Sequence, residues 1–304
     1  MIAENWKISK AKEDIRKTSA SDTYIKEVAY RLFDNRFTYY TGNAKGFHAS
    51  PQFKVCKNML FENIGLLLPR QISKNEFRHV FCTRLIPEMC AISTATKEQN
   101  QLFPLYLYPE ATLANTKQKV TREENFTTDF RNFLDKKYGK GISPEQVLGY
   151  IYAILHSKTY RTKYSEFLKD KFARTPFARD KKQFDKISKL GTELIEVHLL
   201  ESEVDKGLGD FIGKGSNTIE TIKFSEEKRV GKLHINKSQY FNNVAKEIWE
   251  FQIGGYNVID KFLKERKTRE LTIDEVEKVT SIINAIAFTI DQMKKIDEQT
   301  KSWI

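Results

Sequence analysis

The hydrophobic period of this sequence changes at Ser143, and the two periods demand different structures. Between Ser21 and about Asn125 the apolar residues come in short runs cut by turn formers. "NIGLLLPRQ" is a continuous run ending at Pro69, and "FPLYLYP" alternates from Phe103 to Tyr108 between two prolines. Runs of this length with breakers at both ends are strands. Between them "SPQFKVCKNML" reads as a helix, with Ser50 as N-cap and Pro51 in its first turn. At Ser143 the pattern becomes helical. "SPEQVLGYIYAIL" begins with a capping box and places proline at the first helical position. Val147, Ile151, Ile154 and Leu155 then share one face. Tyr160, Tyr164, Phe167 and Leu168 mark a second helix. After Pro176, a third carries Phe184, Ile187, Leu190, Leu194, Val197 and Leu200.

Residues 205–240 return to glycine-rich turns and short strands. A last helix opens at Thr272 with Glu275 three places on, again a capping box. Its apolar residues Val276, Val279, Ile283, Ile286, Ile290 and Met293 step by three and four, a heptad seam expected to dock on other helices of the same chain. The expected class is α+β: a mixed β-sheet in the N-terminal part, a helical region, a small β segment and a long C-terminal helix. The divisions are 1–20 as a linker from an upstream domain, 21–142 as the β-rich part, 143–204 as the helical part and 205–304 as the rest.

Charge narrows the function. The 304 residues carry a net +11. Residues 1–200 hold 34 basic and 22 acidic side chains, against 17 and 18 beyond, so the whole excess lies in the first two-thirds. A localised excess is the footprint of a protein that meets phosphates, or else a solvated basic face. No apolar run is long enough to span a bilayer. No apolar signal core follows the first charges, and three cysteines make no disulfide framework. These features point to a cytoplasmic protein with no membrane partner.

Motifs that could carry chemistry fail on spacing. "GLGDFIGKGS" resembles a phosphate loop, but only three residues separate Gly209 from Gly213, and Gly215 stands where a hydroxyl is required. His79, Cys82 and Cys90 are too few for a structural zinc site. There is no Pro-Pro-aromatic motif of a base-modifying methyltransferase and no helicase phosphate loop. Catalysis by this chain alone is not expected, and no metal or catalytic residue is assigned.

What remains is cationic and aromatic. "YRLFDNRFTYYTGNAKGFHASPQ" interleaves Arg31, Asn35, Arg36 and Lys45 with tyrosines and phenylalanines. Arginine can fork onto guanine or phosphate, and Asn or Gln can pair with adenine. Phe33, Phe37 and Tyr39 fit alternate core positions of a strand better than base stacking. Arg70, Gln71 and Lys74 follow the next strand. Lys158, Arg161, Lys163, Lys169, Lys171, Arg174, Arg179 and Lys181 form either a solvated helix face or a phosphate track.

Six segments occur in an order that resembles one family: "YRLFDNRFTYYTG…KGFH", "NIGLLLPRQ", "FPLYLYP", "YIYAILHSKTYRTKYSEFLK", "KLGTELIEVHLLE" and "IWEFQIGGYNVIDKFLKERK". The family is the C-terminal specificity region of type ISP restriction-modification enzymes and related adenine-specific DNA methyltransferases. The likeness runs from about Thr23 to Asp297, although Leu32 stands where the family has proline. It implies a non-catalytic target recognition domain that reads double-stranded DNA. The domain would work beside an upstream methyltransferase domain, in the same polypeptide or as a subunit. It implies no cofactor in this chain, with S-adenosylmethionine, ATP and magnesium confined to upstream modules. Residues in or beside shared motifs, namely Arg31, Arg36, Lys45, Lys158, Arg161, Lys163, Arg174, Arg179 and Lys181, are implied phosphate contacts. Base reading is expected instead from side chains of more variable turns, Arg70, Gln71 and Lys74, and from the Asn35 amide. The alternative is a protein-interaction or scaffolding module that uses the terminal heptad helix.

Overall fold

The computed structural model describes residues 6–73, 76–95, 98–109, 121–227 and 230–304. Its first element is a helix, α1 (Ile8–Lys17), within the stretch read as a linker. The helix buries Ala11 and Asp14, and Trp6 Nε1 donates to the Phe47 carbonyl at 2.9 Å, so this stretch is docked on the fold. Strands β1 (Ile25–Arg31) and β2 (Asp34–Tyr39) form an antiparallel hairpin, closed by the Arg31–Asp34 pair around the two-residue turn Leu32-Phe33. Phe33 sits at φ +59°, a strained conformation for a bulky residue. Burial offsets the strain: Leu32 and Phe33 are both enclosed, and the Phe33 ring packs edge-on against Phe81 at 5.3 Å.

The "SPQFKVCKNML" helix is shorter than expected. Helix α2 (Phe53–Cys56) gives way to a 3₁₀ turn over Lys57–Leu60. Its N-cap is Gln52, in the left-handed region, because the Ser50 hydroxyl accepts from Gln52 Nε2 and does not reach the helix. Next come β3 (Gly65–Pro69), β4 (Phe81–Thr83), β5 (Ile86–Pro87), β6 (Asn100–Pro104), β7 (Tyr106–Leu107) and β8 (Glu123–Glu124). Among the described residues the expected mixed sheet is three small ones, ordered β2-β1-β5, β4-β3-β6 and β7-β8. The run "FPLYLYP" is cut at Leu105, whose amide leaves the ladder for the Ile64 carbonyl.

The helical part starts earlier than expected, with α3 (Thr128–Tyr138) inside the stretch assigned to the β-rich part. Helix α4 (Pro144–His156) follows as read, the second expected helix is broken into α5 (Lys158–Lys163) and α6 (Phe167–Asp170), and α7 (Lys181–His198) stops short of Leu200. The Ser143 capping box is present. Helices α4 and α7 touch backbone to backbone. A Cβ on Gly191 would lie 1.8 Å from the Gly149 carbonyl oxygen. Beyond them β9 (Asp210–Ile212), β10 (Lys223–Glu227), β11 (Val230–His234) and β12 (Tyr240–Asn242) form an antiparallel sheet in the order β10-β11-β12-β9, and "GLGDFIGKGS" supplies its edge. Helix α8 (Lys246–Trp249), the small pair β13 (Gln252–Ile253) and β14 (Tyr256–Asn257), α9 (Val258–Lys264) and α10 (Ile273–Thr300) complete the chain.

Among the described residues two large cores form beside a small cluster of Tyr40, Cys56, Met59 and Ile86, and β3 and α10 are among the elements that belong to both large ones. Strand β3 is buried on both faces, so the period of two sends Leu66 and Leu68 into one core and Leu67 into the other. Helix α10 contributes Val279 to Ile286 to the second core and Ile296 to the first. This position corrects the heptad reading. Val279, Ile283 and Ile286 are buried, but Val276, Ile290 and Met293 are only half-buried, and residues 282–286 are enclosed on every side. A helix between two layers buries more than a narrow seam. Polar residues fix its register. Asn284 Nδ2 donates to the Leu208 carbonyl at 3.0 Å, and Gln292 Nε2 to the Leu190 carbonyl at 3.0 Å.

Ile283→Ala should therefore lower the unfolding free energy by about 2–5 kcal/mol, and Ile290→Ala by clearly less. Gly191→Ala should also destabilise, by more than the roughly 1 kcal/mol that alanine adds in helix propensity, because backbone must move to admit the methyl. Urea unfolding of the three variants checks the ordering.

Candidate nucleic-acid interface

The hairpin cations are tied into the fold. Tyr30 lies between two guanidinium groups, with the Arg31 Cζ 4.0 Å and the Arg36 Cζ 3.7 Å from its ring centre. Arg31 Nη1 donates to Glu88 Oε2 at 2.7 Å and to its neighbour's carbonyl, and its side chain is almost wholly covered. Arg36 Nη2 reaches Asp34 at 3.1 Å and Glu265 at 3.4 Å and stays partly exposed. Asp34 is buried and meets Arg266 through two hydrogen bonds, at 2.6 and 3.2 Å, while Arg266 Nε reaches Glu275 at 2.8 Å. A buried pair of this kind is costly to break from one side, about 3–5 kcal/mol. The network fastens the hairpin to α9 and α10.

The outward face of the same hairpin is open. Asn35 is exposed and Phe37 is 76% exposed, so Phe37 does not take the core position expected of it, whereas Phe33 does. Lys45 is exposed on the 41–50 loop, with no side-chain partner among the described residues. Asp14 holds that loop, accepting from Thr41 Oγ1 at 2.7 Å, Asn43 Nδ2 at 2.9 Å and the Phe47 amide at 2.8 Å.

The second group gathers around α5 to α7. Arg70 and Gln71 are exposed just past β3, and Lys74 lies outside the described residues. The turn is anchored by Ile72, whose amide donates to the Lys169 carbonyl at 2.9 Å. That bond sets Arg70 and Gln71 beside the cations of the helical part. Lys158, Lys171, Arg174 and Arg179 are exposed, without side-chain ion pairs among the described residues. Lys169 pairs with Glu166 and Lys181 with Asp185, each at 2.7 Å, and Lys163 Nζ donates to the Ile304 carbonyl oxygen. Arg161 turns inward. Its Nε donates to the Leu155 carbonyl at 2.7 Å, and burial, then the nearby Arg78, pull its pKa down to about 10. Its place is inside the wall rather than on it.

A buried acid that the sequence did not reveal holds the Arg70–Gln71 turn. Glu98 accepts from the Ser73 amide at 2.8 Å, Ser73 Oγ at 2.7 Å, Ser93 Oγ at 2.6 Å and His79 Nε2 at 2.9 Å. The Arg78 amide donates to His79 Nδ1, which leaves the proton on Nε2 facing the carboxylate. Burial works to raise the Glu98 pKa, but the hydrogen bonds from Ser93 and Ser73 and the His79 ring outweigh it and hold the group at about 2. Burial pulls the His79 pKa down against the pull of Glu98. Among the described residues no cluster of three or more His, Cys, Asp or Glu is placed to hold a metal.

The folded pKa of Glu98 lies below that of a free carboxyl. Its stabilisation is therefore present above about pH 4.5 and lost as pH falls through about 2. Glu98→Gln should cost about 2–3 kcal/mol at pH 7, and the gap between the two proteins should narrow below about pH 4. Denaturant unfolding across that range is the check.

A family model described as the Type ISP C-terminal specificity domain matches residues 3–298. No curated protein matches. Solved structures that share the fold include three complexes with DNA or a DNA mimic. The ATP-dependent Type ISP restriction-modification enzyme LlaBIII bound to DNA gives a TM-score of 0.71 at 18% identity, covering 90% of this chain and 18% of that one. The DrdV–DNA complex gives 0.71 at 18% identity, covering 91% and 28%. A nuclease-deletion mutant of the Type ISP enzyme LlaGI with a DNA substrate mimic gives 0.66 at 16% identity, covering 91% and 25%. The chain thus spans under a third of the length of these larger polypeptides.

Proposed function

The chain belongs to the type ISP C-terminal specificity domain family, and from this premise we propose that it reads a short sequence in double-stranded DNA on behalf of a larger restriction-modification enzyme. The observation that carries the reading is the match over nearly the whole chain, 3–298, together with unpaired cations set beside an exposed Arg-Gln turn. Lys158, Arg174 and Arg179 hold phosphates, while Arg70 and Gln71, with Lys74 and Asn35, approach base edges. Lys45, Lys163 and Lys181 are outer phosphate contacts. Arg31 and Arg161 act by shaping the surface, and Arg36 does both.

The reaction belongs to partner modules. S-adenosylmethionine, ATP and magnesium are taken up by a methyltransferase and its companions, in the same polypeptide or as subunits, and not by this chain. The setting is the cytoplasm, where the DNA lies. No described helix is long and apolar enough to cross a membrane. The alternative, a scaffold that docks partners on the seam of α10, is disfavoured because Val279, Ile283 and Ile286 are already buried within the chain.

Binding should weaken linearly in log affinity with log salt. Lys158→Ala or Arg179→Ala should lower that slope by about one and affect all sequences alike. Arg70→Ala or Gln71→Ala should relax one position of the selected site by about 1–3 kcal/mol. Site selection with the enzyme that carries this domain separates the two roles. Methyl transfer or magnesium-dependent cleavage by the 304-residue chain alone would overturn the division of labour.

A further inference from the structure

Residues 160–176 enclose a hollow of about 420 Å³. Its walls are Tyr160, Tyr164, Phe167, Phe172, Lys171 and Arg174, with small and apolar neighbours and no carboxylate. Four other hollows all carry acids: Glu203, Asp205 and Asp210 in one, Glu62, Glu145, Glu196 and Glu201 in the next, Glu27 and Glu201 in a third, and Glu88 in the fourth. Phe167 is 73% exposed and meets no other ring among the described residues.

The walls are held in advance. Tyr160 donates its hydroxyl to the Arg174 carbonyl at 2.8 Å, and Tyr150 donates to the Pro176 carbonyl at 2.9 Å. Phe172 stands edge-on to Phe103 at 5.4 Å. The hydrogen bond from Ile72 to Lys169 brings the rim next to Arg70 and Gln71.

We infer that this hollow is a stacking site for an unpaired nucleotide of a DNA strand. The inference rests on the DNA-reading role proposed above and adds to it that the domain grips DNA whose pairing is locally open. A nucleotide joins a flat apolar face to an anionic phosphate. The site offers exposed aromatic faces for the first, and Lys171 and Arg174, which make no ion pair among the described residues, for the second. An acidic peptide would satisfy the two cations but leave the Phe167 ring exposed.

The test uses the 304-residue chain and two labelled duplexes of one sequence, one fully paired and one with a short unpaired bubble, at one salt concentration. The bubble should bind about tenfold tighter. Phe167→Ala should abolish that preference while leaving the melting temperature and the affinity for the paired duplex unchanged, and Phe167→Trp should restore it. Equal binding of the two duplexes, or a preference that survives Phe167→Ala, overturns the inference and leaves the DNA-reading role standing. Displacement of the bubble by poly-glutamate as effectively as by a single-stranded oligonucleotide would show an acidic-peptide surface and also overturn it. If neither duplex binds, the DNA-reading role fails and the stacking site falls with it.

Discussion

Backbone contact between α4 and α7 at Gly149 and Gly191 sets the geometry on which the cationic surface depends. Gly149 cannot carry a Cβ either, since one would lie 2.7 Å from the Ser188 carbonyl oxygen. Ser188 Oγ also donates to the Gln146 carbonyl at 2.6 Å, so the crossing is fixed in position along both helices. Around it the rings of Tyr138, Phe184, Tyr150 and Phe177 stack in sequence. There is no loop between α4 and α5: Ser157 ends the first and caps the second. The cations of residues 158–181 therefore take their direction from this helix pair.

Tyrosine hydroxyls carry that direction into an irregular segment. Tyr138, Tyr150 and Tyr160 donate to the carbonyls of Ala178, Pro176 and Arg174. Their rings are buried in the first core while their hydroxyls supply donors that buried backbone carbonyls need. Arg174 and Arg179 are thus displayed from a chain whose backbone is fixed on one side and solvated on the other. Preorganised cations lose less freedom on meeting a phosphate than cations on a free loop.

Buried carboxylates do the corresponding work in the β-rich part. Asp14 holds the 41–47 loop, Glu98 holds the Ser73 turn, and Asp34 holds the hairpin through Arg266. Asp14 and Asp34 join segments that share no strand ladder, and Glu98 ties the turn beyond the β3–β6 ladder back to its end. The hairpin arginines belong to this system. The aromatic and cationic mixture of residues 30–40 reflects Tyr30 held between Arg31 and Arg36 as much as any outward contact.

Local chemistry in the sequence was enough to determine the helices that begin with a capping box, at Ser143 and Thr272, because a cap and its partner lie three residues apart. It determined β3, whose apolar run ends at a proline, and the excess of charge in residues 1–200. The order of six motifs pointed to the family without any structure. Tertiary structure alone decided which cations face solvent. Arg161 and Lys158 sit three residues apart, yet one turns inward to the Leu155 carbonyl and the other stays exposed. It also decided that α10 is enclosed between two cores rather than docked by a seam, and that Glu98 is a structural acid. The partners that settle these outcomes lie far along the chain, from Ser73 25 residues before Glu98 to Arg266 232 residues beyond Asp34. Periodicity and capping act over a few residues, whereas burial is a property of the assembled chain.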